Sequence, residues 1–170
     1  MHIILETPRL ILRQFTEADA TNIYQLNSIP EVVKYVHEPT LQTMEEATKI
    51  IVEVILPQYK NKLGRWAMHT KDNNEFIGWC GLKYLIAADE IDLGYRLHPF
   101  AWGKGYATEA AKNTLDYGFN KLHLQEVIGR VHVENIGSLN VLEKIGMIYI
   151  KDTVEDSCPV KVFKAVNPIK

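Results

Sequence analysis

The chain has 170 residues and a net charge of −2, and 46% of its residues are hydrophobic, which is typical of one globular domain. This balanced charge, without long runs of lysine or arginine, excludes a general nucleic-acid-binding surface. Charges at Glu6, Arg9 and Arg13 interrupt the N-terminus where a signal peptide needs an apolar core, and no later apolar run is long enough to span a bilayer. Cys80 and Cys158 lie far apart and indicate reduced thiols rather than a zinc or disulfide framework. We therefore expect a cytoplasmic protein with no metal and with no membrane or nucleic-acid partner.

Hydrophobic periodicity and cap signals predict a mixed α/β (α+β) domain over residues 1–170 with one dominant sheet. Thr16 followed by Asp19, and Thr43 followed by Glu46, indicate two helix starts, and Pro57 is expected to end the second helix. The predicted elements in chain order are a strand over 9–15, helices over 16–28 and 43–59, strands over 65–70, 76–85 and 89–98, a helix over 106–122, a strand over 125–133, a helix over 136–146, and closing strands over 147–155 and 160–166.

Two glycines flank Lys104 at the junction between a predicted strand and a predicted helix. A dinucleotide-binding G-x-G-x-x-G motif fails because Thr108 stands where its third glycine should be. A P-loop fails twice, because His98 replaces its first glycine and Gly105 replaces its Ser/Thr. Two interpretations remain: a tight turn, or a phosphate cradle in which Gly103 and Gly105 bring backbone N–H groups to the start of the helix.

Four segments in the right order resemble the GNAT superfamily of acetyl-CoA-dependent N-acetyltransferases, most of all the branch that acetylates the N-termini of ribosomal proteins. The segments are ETPRLILRQFTEADA, FIGWCGL, IDLGYRLHPFAWGKGYATEA and VHVENIGSLNVLEKIGM. The resemblance implies a single GNAT-like domain whose central sheet is mixed, mostly antiparallel, splayed at a bulge and flanked by helices on both faces. It also implies acetyl-CoA as the cosubstrate, an amine as the acceptor, and no metal.

The superfamily's pyrophosphate motif, Gln/Arg-x-x-Gly-x-Gly/Ala, is similar to residues 102–107, with Trp102 in place of the Gln or Arg. The resemblance implies that backbone N–H groups from Gly103 to Thr108 hold the pyrophosphate of CoA. It also implies that the main chains of Tyr95 and Leu97 pair with the pantetheine arm. The implied cofactor-binding residues in this region are Tyr95, Leu97, Trp102, Gly103, Lys104, Gly105, Tyr106, Ala107 and Thr108.

Two further residues follow the predicted strand over 125–133. The resemblance implies that the side chain of Asn135 bonds the pantetheine amide and that Ser138 protonates the leaving thiolate. Much of the superfamily uses a tyrosine one helical turn after Ser138, but this chain has Leu142 there, so Ser138 is the candidate acid. Asn and Ser are also common helix caps, so a purely structural interpretation stays open.

An amine must lose a proton in order to be acetylated, and the candidate bases are Glu90 and Asp92. These two residues lie two positions apart on one predicted strand, so their side chains should face the same side of the sheet. The alternative is a structural ion pair or a solvated strand edge. Tyr35 and His37 fall in the loop between the first two predicted helices, a region that covers the acceptor site in relatives.

The sequence therefore predicts an enzyme in which a primary amine, with a protein N-terminus as one candidate, attacks acetyl-CoA directly through a tetrahedral intermediate. The alternative is a CoA-binding regulatory or catalytically inactive module of the same fold, because fold alone does not fix function. The expected partners are acetyl-CoA and an amine acceptor, and the expected assembly is a monomer or a homodimer.

Overall fold

The structure is a computed structural model that describes residues 1–169. The strands in this range are β1 Ile3–Glu6, β2 Leu10–Gln14, β3 Gly64–Thr70, β4 Phe76–Leu85, β5 Glu90–Leu97, β6 Glu126–His132, β7 Ile148–Glu155 and β8 Cys158–Val166. The helices are α1 Ala20–Asn27, α2 Pro30–Val33, α3 Met44–Ile50, α4 Tyr106–Asn120 and α5 Ile136–Lys144.

All eight strands form one sheet in the order β1-β2-β3-β4-β5-β6-β8-β7. The neighbouring pairs are antiparallel except for β5 and β6, which run parallel because α4 crosses over between them. The mixed, mostly antiparallel sheet predicted from the sequence is confirmed. Within residues 1–169, we found no helix of the length and apolar character that crossing a membrane requires.

Helices cover both faces of the sheet, as predicted. Side chains alternate along β3, so Trp66 joins the core under α4 while the adjacent Ala67 joins the core under α1 and α3. On the first face, Ala110 and Ala111 of α4 are completely buried. On the second, Ile51 packs with residues of α1 and α3 and is completely buried. β4 packs against both cores, whereas the apolar side chains of β5 belong to the first.

The helical segment after Thr43 is longer than the sequence predicts. Thr43 and Glu46 form the expected capping box, but the chain does not leave the helical path at Pro57. It passes through a π-helical stretch at Ile51–Ile55 and continues as a 3₁₀ segment at Leu56–Asn61. Pro57 lies in the first turn of that segment. N–H groups in a first turn have no helical acceptor, so a proline there costs no hydrogen bond. The prediction that Pro57 ends the helix was therefore wrong.

Strands β5 and β6 separate, as the fold prediction requires. The two strands pair at Asp92 and Ile128. On its other side, β6 pairs with β8 along its whole length. The pairing of β4 with β5 runs one-for-one along the whole of β5. The register shift lies in β4 instead, where Phe76 and Gly78 face consecutive β3 residues and Ile77 is the extra residue.

Candidate active site

The separation of β5 from β6 leaves one side of β5 without a strand partner. The His98 N–H donates to the Ile77 carbonyl at 2.9 Å, and hydrogen-bonded residues alternate in an antiparallel ladder, so the main-chain groups of Tyr95 and Leu97 point away from β4. They face the gap. The Leu97 carbonyl already accepts a hydrogen bond from the indole Nε1 of Trp102 at 3.0 Å. The main chain of Tyr95 and the N–H of Leu97 remain as the groups that an extended ligand can pair with.

The glycine loop, residues Trp102–Gly105, joins this gap to α4. Gly103 has φ +71° and Gly105 has φ +80°, a left-handed conformation that glycine adopts without strain. Gly105 is the N-cap of α4, and its carbonyl accepts the N–H of Glu109 at 3.0 Å. The N–H groups of Tyr106, Ala107 and Thr108 belong to the first turn and have no intrahelical acceptors. The backbone therefore offers unpaired donors at the start of α4, which a phosphate cradle needs, and binding of a phosphate there stays a prediction.

An arginine that the sequence analysis did not include in the site contacts this loop. Arg9 donates from Nε to Glu109 Oε2 at 2.6 Å and from Nη1 to the Lys104 carbonyl at 2.9 Å. Its guanidinium group also lies 4.5 Å from the centre of the Tyr106 ring. About 95 residues separate Arg9 from its partners in sequence, and no local pattern links them. Only the pairing of β1 and β2 beside α4 brings them together.

Asn135 and Ser138 meet at the start of α5. Asn135 Oδ1 accepts the N–H of Ser138 at 3.3 Å, so its carbonyl oxygen caps the helix, as the structural interpretation expected. This bond leaves the amide NH₂ group of Asn135 available. The phenol of Tyr95 donates to Ser138 Oγ at 2.8 Å, a contact made by a residue that the sequence analysis valued only for its main chain. Burial raises the pKa of Tyr95 to about 12, although the bond to Ser138 opposes the shift, so the phenol stays protonated at neutral pH.

The two candidate bases face the same side of β5, as predicted, and both contact Arg130 of β6. Glu90 forms an ion pair with Arg130, and Asp92 Oδ1 lies 3.7 Å from Arg130 Nη1. Asp92 Oδ2 also accepts from Arg65 at 3.2 Å, and Arg130 bonds Glu155 at 2.8 Å. Burial raises the pKa of Asp92 above its usual value, although Arg65 and Arg130 oppose that shift. A carboxyl group with a raised pKa is better matched to proton uptake at neutral pH than an ordinary aspartate.

Four of the predicted site residues line one cleft of about 510 Å³. They are Asp92, Tyr95, Asn135 and Ser138. The wall opposite them comes from α1, the loop after α2, and α3. Other residues that line the cleft include Asn27, Tyr35, Glu38, Arg65, Trp79, Arg96, Arg130 and His132.

Cationic and aromatic side chains meet in the cleft lining. The guanidinium groups of Arg65 and Arg96 lie 4.8 Å and 5.5 Å from the centre of the Trp79 ring. Elsewhere in the lining, the centre of the Tyr35 ring lies 5.3 Å from that of the His132 ring. Tyr35 therefore lines the cleft, and its role beside the acceptor stays a prediction.

Other candidates lie outside the cleft lining. Glu90 and the glycine loop do not line it. Cys80 is a free, buried thiol bonded to Thr114 at 3.4 Å, and burial raises its pKa to about 11, so it is unsuited to act as a nucleophile.

Comparison with known proteins identifies the family. The family model described as an acetyltransferase (GNAT) domain matches residues 9–148. The uncharacterised N-acetyltransferase YoaA of Bacillus subtilis is 34% identical over 148 residues, covering 86% of this chain and 83% of that protein.

Solved structures agree. A GNAT-family acetyltransferase from Bacillus anthracis superimposes with a TM-score of 0.79 at 26% identity, covering 98% of this chain and 99% of that one. RimL, described as a ribosomal L7/L12 α-N-protein acetyltransferase in complex with coenzyme A, has a TM-score of 0.86 over 99% of this chain and all of its own, but at 14% identity it shares only the fold. The chain belongs to the GNAT acetyltransferase family.

Proposed function

We propose that this protein transfers the acetyl group of acetyl-CoA to a primary amine, with protein N-terminal amines as the first acceptor class to test. The observation that carries the proposal is the unpartnered side of β5, where the Tyr95 main chain and the Leu97 N–H border a gap between the glycine loop and Ser138. An extended ligand with an anionic end and a reactive end fits that arrangement. The fold of RimL, a ribosomal L7/L12 α-N-protein acetyltransferase, supports the acceptor class by analogy only.

The chemistry assigned to the site is a direct transfer. The amine nitrogen attacks the thioester carbonyl carbon, a tetrahedral intermediate forms, and the C–S bond breaks as the C–N bond is kept. The amine gives up one proton to a base, and the departing thiolate takes one proton from an acid. In this proposal Ser138 Oγ supplies the second proton and takes one in turn from the Tyr95 phenol that donates to it, and solvent then reprotonates the phenol.

Asp92 is the stronger candidate base. It lines the same cleft as Ser138, and burial raises its pKa. Glu90 remains the second candidate, but it is paired with Arg130 and lies outside the cleft lining. Asn135 keeps its amide NH₂ group available for an amide carbonyl of the pantetheine arm.

One observation favours the alternative of a CoA-binding module without turnover. Arg130 contacts both candidate bases, and a guanidinium partner stabilises a carboxylate and reduces its tendency to take a proton. In that case the glycine loop and the β5 gap would bind CoA while the proton-transfer groups serve only the fold.

The test is calorimetric titration of acetyl-CoA into wild type, Gly105→Glu and the matched control Gly146→Glu. Gly146 also has a positive φ, of +89°, and lies at the exposed end of α5 away from the glycine loop, so it reproduces both the strain and the added charge. We expect wild type and Gly146→Glu to bind, and Gly105→Glu to lose binding.

A thiol-release assay over small amines and N-terminal peptides then separates the two proposals. Turnover with a panel member supports the transferase and identifies the acceptor class. Binding without turnover supports the CoA-binding module. A wild-type protein that does not bind acetyl-CoA at low millimolar concentration refutes both.

A further inference from the structure

We propose that Arg9 is a positioning residue for the phosphates of CoA: it fixes the glycine loop and presents its free guanidinium edge to them. The inference rests on the proposed cofactor site and goes beyond it, because Arg9 lies outside the glycine loop and outside β5. Three contacts tie Arg9 to the start of α4. Its main-chain N–H donates to Glu109 Oε1 at 2.9 Å, its Nε donates to Glu109 Oε2 at 2.6 Å, and its Nη1 donates to the Lys104 carbonyl at 2.9 Å.

Glu109 is the fixed end of this arrangement. Both of its carboxylate oxygens are used, because Thr7 Oγ1 also donates to Oε1 at 2.6 Å. Burial by itself would raise the pKa of Glu109, but the hydrogen bonds from Thr7 and Arg9 lower it below its usual value overall. Glu109 therefore stays ionised at neutral pH and holds Arg9 in one orientation. The turn between β1 and β2 is in this way attached to the first turn of α4.

The remaining edge of the guanidinium group lies beside the glycine loop. A Cβ atom added to Gly105 would lie 3.3 Å from Nη2 of Arg9, and the guanidinium carbon is 4.5 Å from the Tyr106 ring centre. Within residues 1–169, no hydrogen-bond acceptor is recorded for Nη2, and the side chain is 46% exposed. One edge of the Arg9 guanidinium group, Nε and Nη1, thus bonds the protein. The other edge, Nη2, lies beside Gly105, where the first unpaired N–H groups of α4 begin.

Arginine suits this position better than lysine. Its planar group can bond Glu109 with Nε and a carbonyl with Nη1 while Nη2 binds an anionic oxygen. A lysine ammonium would have to choose among these partners. Arg9 therefore links the loop conformation to recognition of the phosphates, whereas backbone N–H groups alone would leave the loop free to move.

The experiment compares two ligands, because a phosphate contact affects only the one that carries phosphates. CoA and pantetheine, which lacks the pyrophosphate and the 3′-phosphate, are titrated into wild type, Arg9→Met and Arg9→Lys, with tryptophan fluorescence as the signal. The matched control is Lys71→Met. Lys71 bonds the Arg9 carbonyl through its main chain and pairs its ammonium with Glu6 at 3.0 Å, so its removal deletes a neighbouring exposed charge without touching the loop.

We expect Arg9→Met to weaken CoA binding about 10-fold or more, as loss of a charge-assisted hydrogen bond does, and to change pantetheine binding by less than about 2-fold. Arg9→Lys is expected to stay close to Arg9→Met, and Lys71→Met close to wild type. Melting curves of all four proteins identify a variant that has lost its fold.

Each contrary outcome has a distinct meaning. Wild type that binds neither ligand refutes the proposed function itself. If wild type binds CoA and Arg9→Met binds it equally well, or if Arg9→Met weakens both ligands equally, the inference about Arg9 is wrong while the proposed function stands. Recovery of wild-type affinity by Arg9→Lys would show that charge alone matters and would overturn the positioning role.

Discussion

Replacing Ser138 by alanine separates a catalytic role from a capping role. The hydroxyl accepts from Tyr95 at 2.8 Å, so its loss leaves a half-buried phenol without a partner, which costs about 1 kcal/mol of stability. The cap is kept, because Asn135 bonds the Ser138 main-chain N–H and not its side chain. Alanine also has a higher helix propensity than serine, which offsets part of the loss. We therefore expect the free energy of unfolding to fall by no more than about 1 kcal/mol.

The effect on catalysis should be larger. Loss of a positioned general acid costs about 100-fold or more in rate, equivalent to about 2.7 kcal/mol of transition-state stabilisation. The assay is thiol release with the best acceptor of the panel, with kcat and the KM for acetyl-CoA measured separately, and urea unfolding as the stability control. We expect kcat to fall about 100-fold while KM changes less than about 3-fold. The matched variant Tyr95→Phe keeps the serine and should cost less than Ser138→Ala. A Ser138→Ala enzyme with kcat within about 3-fold of wild type would refute the assignment of Ser138 as the acid.

Three further predictions concern stability and proton transfer. A Cβ on Gly81 would lie 1.9 Å from a carbonyl oxygen of β3, so Gly81→Ala should cost more than about 4 kcal/mol in urea unfolding, whereas Gly103→Ala, with open space around it, should cost about 1–2 kcal/mol. The pKa of Tyr95 is raised to about 12 in the folded protein and is near 10 in the unfolded chain, so the unfolded chain loses the phenol proton first as the pH rises. The stability that the protonated phenol contributes is therefore complete below about pH 10 and is lost between about pH 10 and 12. Tyr95→Phe should therefore flatten the alkaline fall of the unfolding free energy over that range, and an unchanged slope would contradict the assignment. Asp92→Asn should lower kcat/KM at least about 10-fold and remove the acidic limb of its pH profile, whereas Glu90→Gln should leave that limb in place, and the reverse pattern would make Glu90 the base.

Local patterns allowed most of the fold to be predicted from the sequence. The strands β2 to β8 and the helices α1, α3, α4 and α5 all overlap predicted segments, because each presents a clear hydrophobic period or cap signal; β3 and β8 begin one and two residues earlier than predicted. β1 and α2 were missed because four residues are too few to show a period. Pro57 misled the prediction because a proline that ends a regular α-helix can equally begin a 3₁₀ turn.

The site was predictable only where its chemistry lies close together in sequence. The glycine loop and the pair Asn135 and Ser138 are short motifs, and the structure shows the left-handed glycines and the helix cap expected of them, while their contacts with a cofactor stay predictions. Arg9 and the Tyr95 phenol act through contacts between residues 43 or more positions apart, and a single sequence carries no local signal for such pairs.

The carboxylates proposed as bases also form ion pairs that join β5 and β6 next to the gap between these strands. β5 and β6 pair at Asp92 and Ile128, and Arg130, two residues further along β6, reaches back to Glu90 and across to Glu155 of β7. These ion pairs lie at the end of the gap where the strands still touch, so they oppose further separation there while the gap beyond stays open. A carboxylate that both takes a proton and holds this junction is under two constraints, since protonation weakens its pairing with arginine. A loss of activity in Asp92→Asn therefore identifies the base only if CoA binding, which needs the intact gap, is unchanged in the same variant.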